Sequence, residues 1–212
     1  MSMERVLDAA EALLGDKRFE DIHVAEIASR ARTSVPGFYR RFKDKDALLH
    51  ALHERLCEEA FATADDVLAS ERWESAGIAE ILSVFIPFVI EALQRHEELD
   101  RAIYQRALAD ERMRERASRL TRYVVSRMSE LLLERSEEIH HPAPQVAVSF
   151  ALVQAMALLI QHYTVAMREI EPVLMSDEQV ALEVTSSCLA YLGVRDPNAL
   201  HQRLQGKGGD PQ

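Results

Sequence analysis

Residues 24–48 read VAEIASRARTSVPGFYRRFKDKDAL. Val24, Ile27, Ala28 and Ala31 recur at helical spacing. After a break at Arg32 and Thr33, Val35, Phe38, Tyr39 and Phe42 fall at i, i+3, i+4 and i+7. Each set makes one apolar stripe, so the segment is expected to form two short amphipathic helices joined by a tight turn. Ser34 precedes the second helix, where its hydroxyl can cap free backbone N–H groups. Pro36 is tolerated in a first turn whose N–H groups have no intrahelical partner. Pro36, Gly37, Arg40 and Arg41 then point away from the stripe.

Charge separates this segment from the rest of the chain. Between Ala28 and Lys45 stand Arg30, Arg32, Arg40, Arg41, Lys43 and Lys45 against Asp44 alone, a net charge of +5 in a chain of net charge −10. An acidic protein is repelled by a polyanion except where its local charge reverses, so the reversal marks the surface able to approach phosphates. A capped second helix with a basic outer face is the outline of a helix-turn-helix. Arginine on a guanine edge would specify sequence, and arginine on a phosphate would fix position. The residues leave open which of these Arg40 and Arg41 does.

The first fifty residues resemble the N-terminal domain of the TetR family of bacterial transcriptional regulators. The resemblance is carried in order by RVLDAAEALLGDKRFEDIHVAEIASRA, TSVPGFYRRF and KDKDALL, about a quarter of the chain. It implies that Thr33, Ser34, Pro36, Gly37, Tyr39 and Arg40 occupy DNA-facing positions. Tyr39 would give its hydroxyl to a phosphate while its ring packs inward, and Lys45 would touch the DNA backbone. Three positions depart from the family pattern. Arg32 stands where Gly is usual, Thr33 where a small aliphatic residue is usual, and His23 where Thr commonly caps the first helix of the motif. Arg32 must adopt the turn without glycine's freedom. Together with Arg41 it joins the expected DNA-binding set.

Length and composition agree with an all-α protein. The 212 residues are 48% hydrophobic with only 7 Gly and 7 Pro. The expected organisation is a three-helix DNA-binding head over 1–46, a C-terminal helical bundle for ligand binding and dimerisation over 47–195, and a polar tail over 196–212. Cys57 and Cys188 are isolated within helical patterns, so they read as reduced packing residues. The segment MSMERVLDAA lacks the basic and apolar regions of an export signal, so a cytoplasmic location is expected.

Beyond the head, Asp44 is placed to cap a long helix carrying Leu48, Leu52, Leu56 and Ala60 and ending near Ser70. Ile78–Arg95 forms the next, with Pro87 expected to bend it, either opening a pocket or wrapping the helix around its core. Helices follow over Leu99–Ala109 and Met113–Glu134, the second with an arginine-rich face expected to be solvated and salt-bridged. His140 and His141 are adjacent and complete no zinc pattern, so they read as loop residues and no metal or cofactor is expected. Gln145–Met167 is apolar around nearly its full circumference, which implies burial on more than one side. Ser149, Gln154 and Gln161 interrupt it, so it does not read as a membrane span. Ser176 and Gln179 form a capping box for the last helix, which Gly193 ends. The family resemblance implies that these last two long helices pair with a second subunit, so that a homodimer presents two recognition helices to palindromic double-stranded operator DNA.

An unknown small apolar or amphipathic effector in the C-terminal bundle would release the operator. Candidate pocket residues are Phe85, Phe88, Tyr104, Tyr123, Gln154, Gln161 and His162, since aromatics with a few polar groups suit such pockets. No catalytic motif is present: the sequence holds no His-Glu-x-x-His, phosphate loop or nucleophile elbow. The alternative is a helical ligand-binding or scaffold protein with a degenerate DNA-binding head.

Overall fold

The computed structural model describes residues 3–164 and 175–195, and every regular element among them is helical. The helices are α1 Glu4–Leu14, α2 Val24–Arg30, α3 Val35–Tyr39, α4 Lys45–Val67, α5 Ile78–Arg95, α6 Glu97–Ala107, α7 Glu111–Leu133, α8 Pro144–Thr164 and α9 Asp177–Leu192. Short 3-10 turns lie at Phe19–Asp21, Ser70–Trp73 and Ser136–Glu138. The expected boundaries agree to within a few residues. The end of the expected Gln145–Met167 helix and the tail 196–212 lie outside the described residues.

The chain divides into two compact units. Residues up to 66 join 93–122 and 163–164 in the first, and 67–92, 123–162 and 175–195 make the described part of the second. The first unit extends past residue 46, where the expected DNA-reading segment ends. Leu99, Ala102 and Ile103 of α6 and Met113 of α7 are buried in the same cluster as Val6, Leu7, Ile27, Phe38, Phe42, Leu48 and Leu52. Three short helices bury too little apolar surface to be stable alone, and α6 supplies the missing area.

Arg55 of α4 fastens α1 to this core. Its guanidinium reaches Asp8 and Glu11 at 2.7 Å and Glu4 at 3.2 Å. Those carboxylates raise its pKa against the opposing effect of desolvation. Asp46 at the start of α4 pairs with Arg106 of α6, and Asp110 accepts from His50 at 2.9 Å.

In the second unit Arg135 corrects one expectation. Rather than joining a solvated arginine face, it is buried at the end of α7. Its guanidinium donates to the carbonyls of Ala76 at 2.6 Å, Leu131 at 2.8 Å and Trp73. A turn at Ser70–Trp73 leaves carbonyls that no helix ladder satisfies, and a planar five-donor group suits them. Only part of the α7 face is salt-bridged, as at Arg127–Glu130.

α5 runs unbroken through Pro87, which is exposed. α8 is, by length and composition alone, long and apolar enough to cross a membrane, a test that the core helix of a soluble protein also passes. Within this unit it buries Ala147, Val148, Ala151, Leu152 and Ala155, while Val146, Phe150, Val153 and Leu158 on its other side are exposed. α9 begins with the expected capping box: Ser176 Oγ accepts from Gln179 N at 3.3 Å and Gln179 Oε1 accepts from Ser176 N at 2.8 Å. It ends at Gly193, whose φ of 71° favours glycine. The loop histidines pack there, His140 N donating to Leu192 O at 3.0 Å and His141 stacking on Tyr191. Cys57 and Cys188 are buried, and burial pushes each thiol up to about 11, so neither is a nucleophile at neutral pH.

Candidate nucleic-acid interface

The turn is built as its residues require. α2 ends at Ala31, Thr33 N donates to Ala28 O at 2.8 Å, and Arg32 between them has φ 53°. Arg32 is the only non-glycine residue with positive φ among the described residues. Its side chain is exposed. At the helix start the expected role of His23 is taken partly by Glu26, whose carboxylate accepts His23 N at 2.9 Å. Lys17, followed by that backbone bond, holds the Glu26 pKa below its ordinary value.

α3 is only five residues long, and this revises the sequence picture of its faces. Phe38 and Phe42 enter the core, but Val35 and Tyr39 are exposed. Two aromatics four apart fill the available core space, which leaves Tyr39 outside with its ring edge-on to Phe38 at 5.3 Å. The Tyr39 ring is therefore not packed inward. Gly37, expected to face outward, is buried: a Cβ there would meet Thr33 Oγ1 and lie 3.2 Å from Ser34 Oγ. Its amide is the group that Ser34 caps, Oγ accepting at 3.1 Å. Gly37 thus shapes the surface without presenting a side chain to it.

The basic side chains fall into two groups. Arg41 donates to Gly37 O at 3.0 Å and so braces α3. The Lys45 amine donates to Phe19 O and to Glu20 O at 3.1 Å and lies 4.7 Å from the centre of the Phe19 ring. Partial desolvation lowers its pKa. Two of the three Lys45 ammonium donors are thus committed to the head's own 3-10 turn. By contrast, Arg30, Arg32, Arg40 and Lys43 are exposed and make no side-chain hydrogen bond or ion pair with the described residues. They flank the capped start of α3, beside exposed Ser34, Pro36 and Tyr39 and half-buried Thr33.

The expected effector residues are not brought together so clearly. Tyr104 belongs to the first unit and the other six to the second. Phe85 and His162 are buried, Phe88, Tyr123 and Gln161 are half-buried, and Gln154 is exposed beside Val153. Gln154 is therefore removed from the pocket set, because its side of α8 is the one left uncovered. Among the described residues no group of three His, Cys, Asp or Glu could hold a metal ion.

A capped recognition helix behind a tight turn, rimmed by unpaired cations, defines the class of helix-turn-helix DNA-binding transcriptional regulators. Residues 6–52 match the family model of the bacterial regulatory proteins, tetR family. The fold is that of solved members of this class. A tetR-family regulator from Mesorhizobium loti is 17% identical with a TM-score of 0.66, covering 90% of this chain and 94% of that one. A TetR/AcrR-family regulator from Thermobifida fusca is 19% identical with a TM-score of 0.65, covering 92% and 100%. The regulator FadR from Bacillus subtilis, solved in complex with stearoyl-CoA, is 17% identical with a TM-score of 0.59, covering 92% and 100%. A comparison with curated proteins gives no match.

Proposed function

We propose that the chain is a dimeric repressor that acts in the cytoplasm on a palindromic operator and is released from it by a small apolar or amphipathic molecule. The observation that carries the DNA-binding half is the set of unpaired cations, Arg30, Arg32, Arg40 and Lys43, around α3 in an otherwise acidic protein. Opposing charges elsewhere are largely used within the protein, as at Arg55 and Arg101. Cations without internal partners are those able to release counterions from phosphates. Residues 1–46 do the reading, and 47–195 carry effector binding and dimerisation.

The uncovered apolar side of α8, with Leu182 and Tyr191 exposed on α9, supports pairing of these two helices with a second copy. The rings of Phe150 and Tyr191, 5.3 Å apart, join the two helices into one face. The effector reading draws on Phe85, Phe88, Tyr123, Gln161 and His162 and on the stearoyl-CoA complex of the Bacillus subtilis regulator. An effector acts only by binding the released state more tightly than the DNA-competent one. Titration of a labelled duplex from the DNA upstream of its own coding sequence, across a range of salt, tests the reading. Sequence-selective binding that weakens steeply with salt is expected, and absence of such binding would refute it.

A further inference from the structure

Thr33, Ser34 and Arg40 close over Gly37 at the start of α3. Gly37 is buried between exposed Pro36 and Tyr39 on one side or the other of the helix, so these side chains supply its cover. A Cβ on Gly37 would overlap Thr33 Oγ1, and would lie 3.2 Å from Ser34 Oγ and 3.6 Å from Arg40 Nη2. Glycine serves here for space and not for backbone freedom, since Gly193 alone among the described glycines has positive φ. The three polar groups differ in what they have left to offer. Ser34 Oγ already accepts the Gly37 amide. Thr33 is half-buried and Arg40 is exposed, and neither makes a side-chain hydrogen bond or ion pair with the described residues. Arg41, next in the chain, is turned back onto Gly37 O at 3.0 Å. An unspent hydroxyl and an unspent guanidinium therefore stand side by side over one glycine, and a partly desolvated hydroxyl gains from a partner outside the protein.

We propose that Thr33 and Arg40 read one base step together, and that Gly37 is the positioning residue that seats the Thr33 hydroxyl beside the Arg40 guanidinium. This rests on the reading of the protein as an operator-binding regulator and names the part of the interface that carries sequence preference. Arg40 donates to O6 and N7 of a guanine, and the Thr33 hydroxyl, able to donate and to accept, bonds the adjacent base edge. Thr33 Oγ1 and Arg40 Nη2 both come within 3.6 Å of one point. That spacing is close to the rise of about 3.4 Å between stacked base pairs, so the two groups span a single step. Arg30, Arg32 and Lys43 then supply affinity through phosphates without sequence information. Gly37 acts through Thr33 and not through Arg40. A methyl group at position 37 forces the Thr33 hydroxyl aside, whereas 3.6 Å is ordinary van der Waals contact for the guanidinium.

The test is fluorescence anisotropy with the full chain, on a duplex from the DNA upstream of its own coding sequence and on a scrambled duplex of equal length, across a range of salt. Thr33→Val and Arg40→Ala should each weaken binding to the first duplex by about tenfold and to the scrambled one far less. The double variant should lose less than the product of the two losses, because the groups act as a unit. Gly37→Ala should match Thr33→Val on the first duplex while keeping the salt slope and the affinity for the scrambled one. Thr33→Ala makes room at position 37, so adding Gly37→Ala to it should cost no further affinity, and this pair is read even where Gly37→Ala alone fails to fold. Multiplicative losses for Thr33→Val and Arg40→Ala, equal losses on both duplexes, or a Gly37→Ala loss that persists beside Thr33→Ala would overturn the proposal. The two readings fail differently. A parent protein without preference for the upstream duplex refutes the operator reading and this proposal with it, whereas a selective parent with unaffected variants refutes the proposal alone.

Discussion

The hydroxyl of Ser34 accepts the backbone N–H of Gly37 at 3.1 Å, and this bond starts the recognition helix. α3 has only five residues, so it has no length from which to recover a lost cap. Ser34→Ala is expected to lower stability by about 1 kcal/mol. Urea denaturation should show the shift in midpoint with an unchanged slope, and operator affinity should fall as α3 frays.

Arg32 occupies a left-handed backbone at φ 53°. Arg32→Gly relieves that conformation and is expected to stabilise the protein by about 1 kcal/mol. The same change removes an exposed cation beside α3, so operator binding should weaken and the salt slope should shrink by about one counterion. A variant more stable in thermal melts but poorer in DNA binding would identify Arg32 as a residue kept for contact at the expense of local geometry.

Arg135 holds three carbonyls of the second unit. Arg135→Met keeps much of the volume and removes every donor, and is expected to cost about 3 kcal/mol in chemical denaturation. Any loss of DNA binding should follow the loss of folded protein, since Arg135 lies outside the head.

His53 and Asp100 give stability opposite dependences on pH. The His53 pKa falls from 6.5 to about 4 on folding, so its contribution is full above 6.5 and is lost as pH falls through 4. The Asp100 pKa rises from 3.8 to about 7, so its contribution is full below 3.8 and is lost as pH rises through 7. Between about pH 4 and pH 6.5 the two slopes oppose each other. Asp100→Asn removes the falling one, so its stability should climb more steeply with pH over that window than the parent's, and above pH 7 it should be the more stable protein.

The helices were legible because their caps and periods are local. Ser34, Ser176 with Gln179, and Gly193 act within a few residues of themselves, and the structure uses each as the sequence suggests. Contacts distant in sequence were not legible. Nothing near Arg135 signals that Trp73 and Ala76 need its donors, and nothing near Lys45 signals the carbonyls of Phe19 and Glu20. The outward face of α3 was half legible: a stripe at i, i+3, i+4 and i+7 assumes a helix long enough to bury all four positions, and a five-residue helix buries only Phe38 among its own stripe residues, with Phe42 beyond its end.

The central claim is that exposed, unpaired groups around α3 read DNA while Lys45 serves the fold. Fluorescence anisotropy on one operator duplex, comparing the parent with Arg40→Ala, Tyr39→Phe and Lys45→Met at matched salt, tests it most directly. Arg40→Ala should weaken specific binding by about 1–3 kcal/mol with the fold intact, and Tyr39→Phe by less. Lys45→Met should lower thermal stability and leave the affinity of the folded protein near the parent's. Arg40→Ala and Tyr39→Phe binding as tightly as the parent, with Lys45→Met alone impaired, would contradict the account.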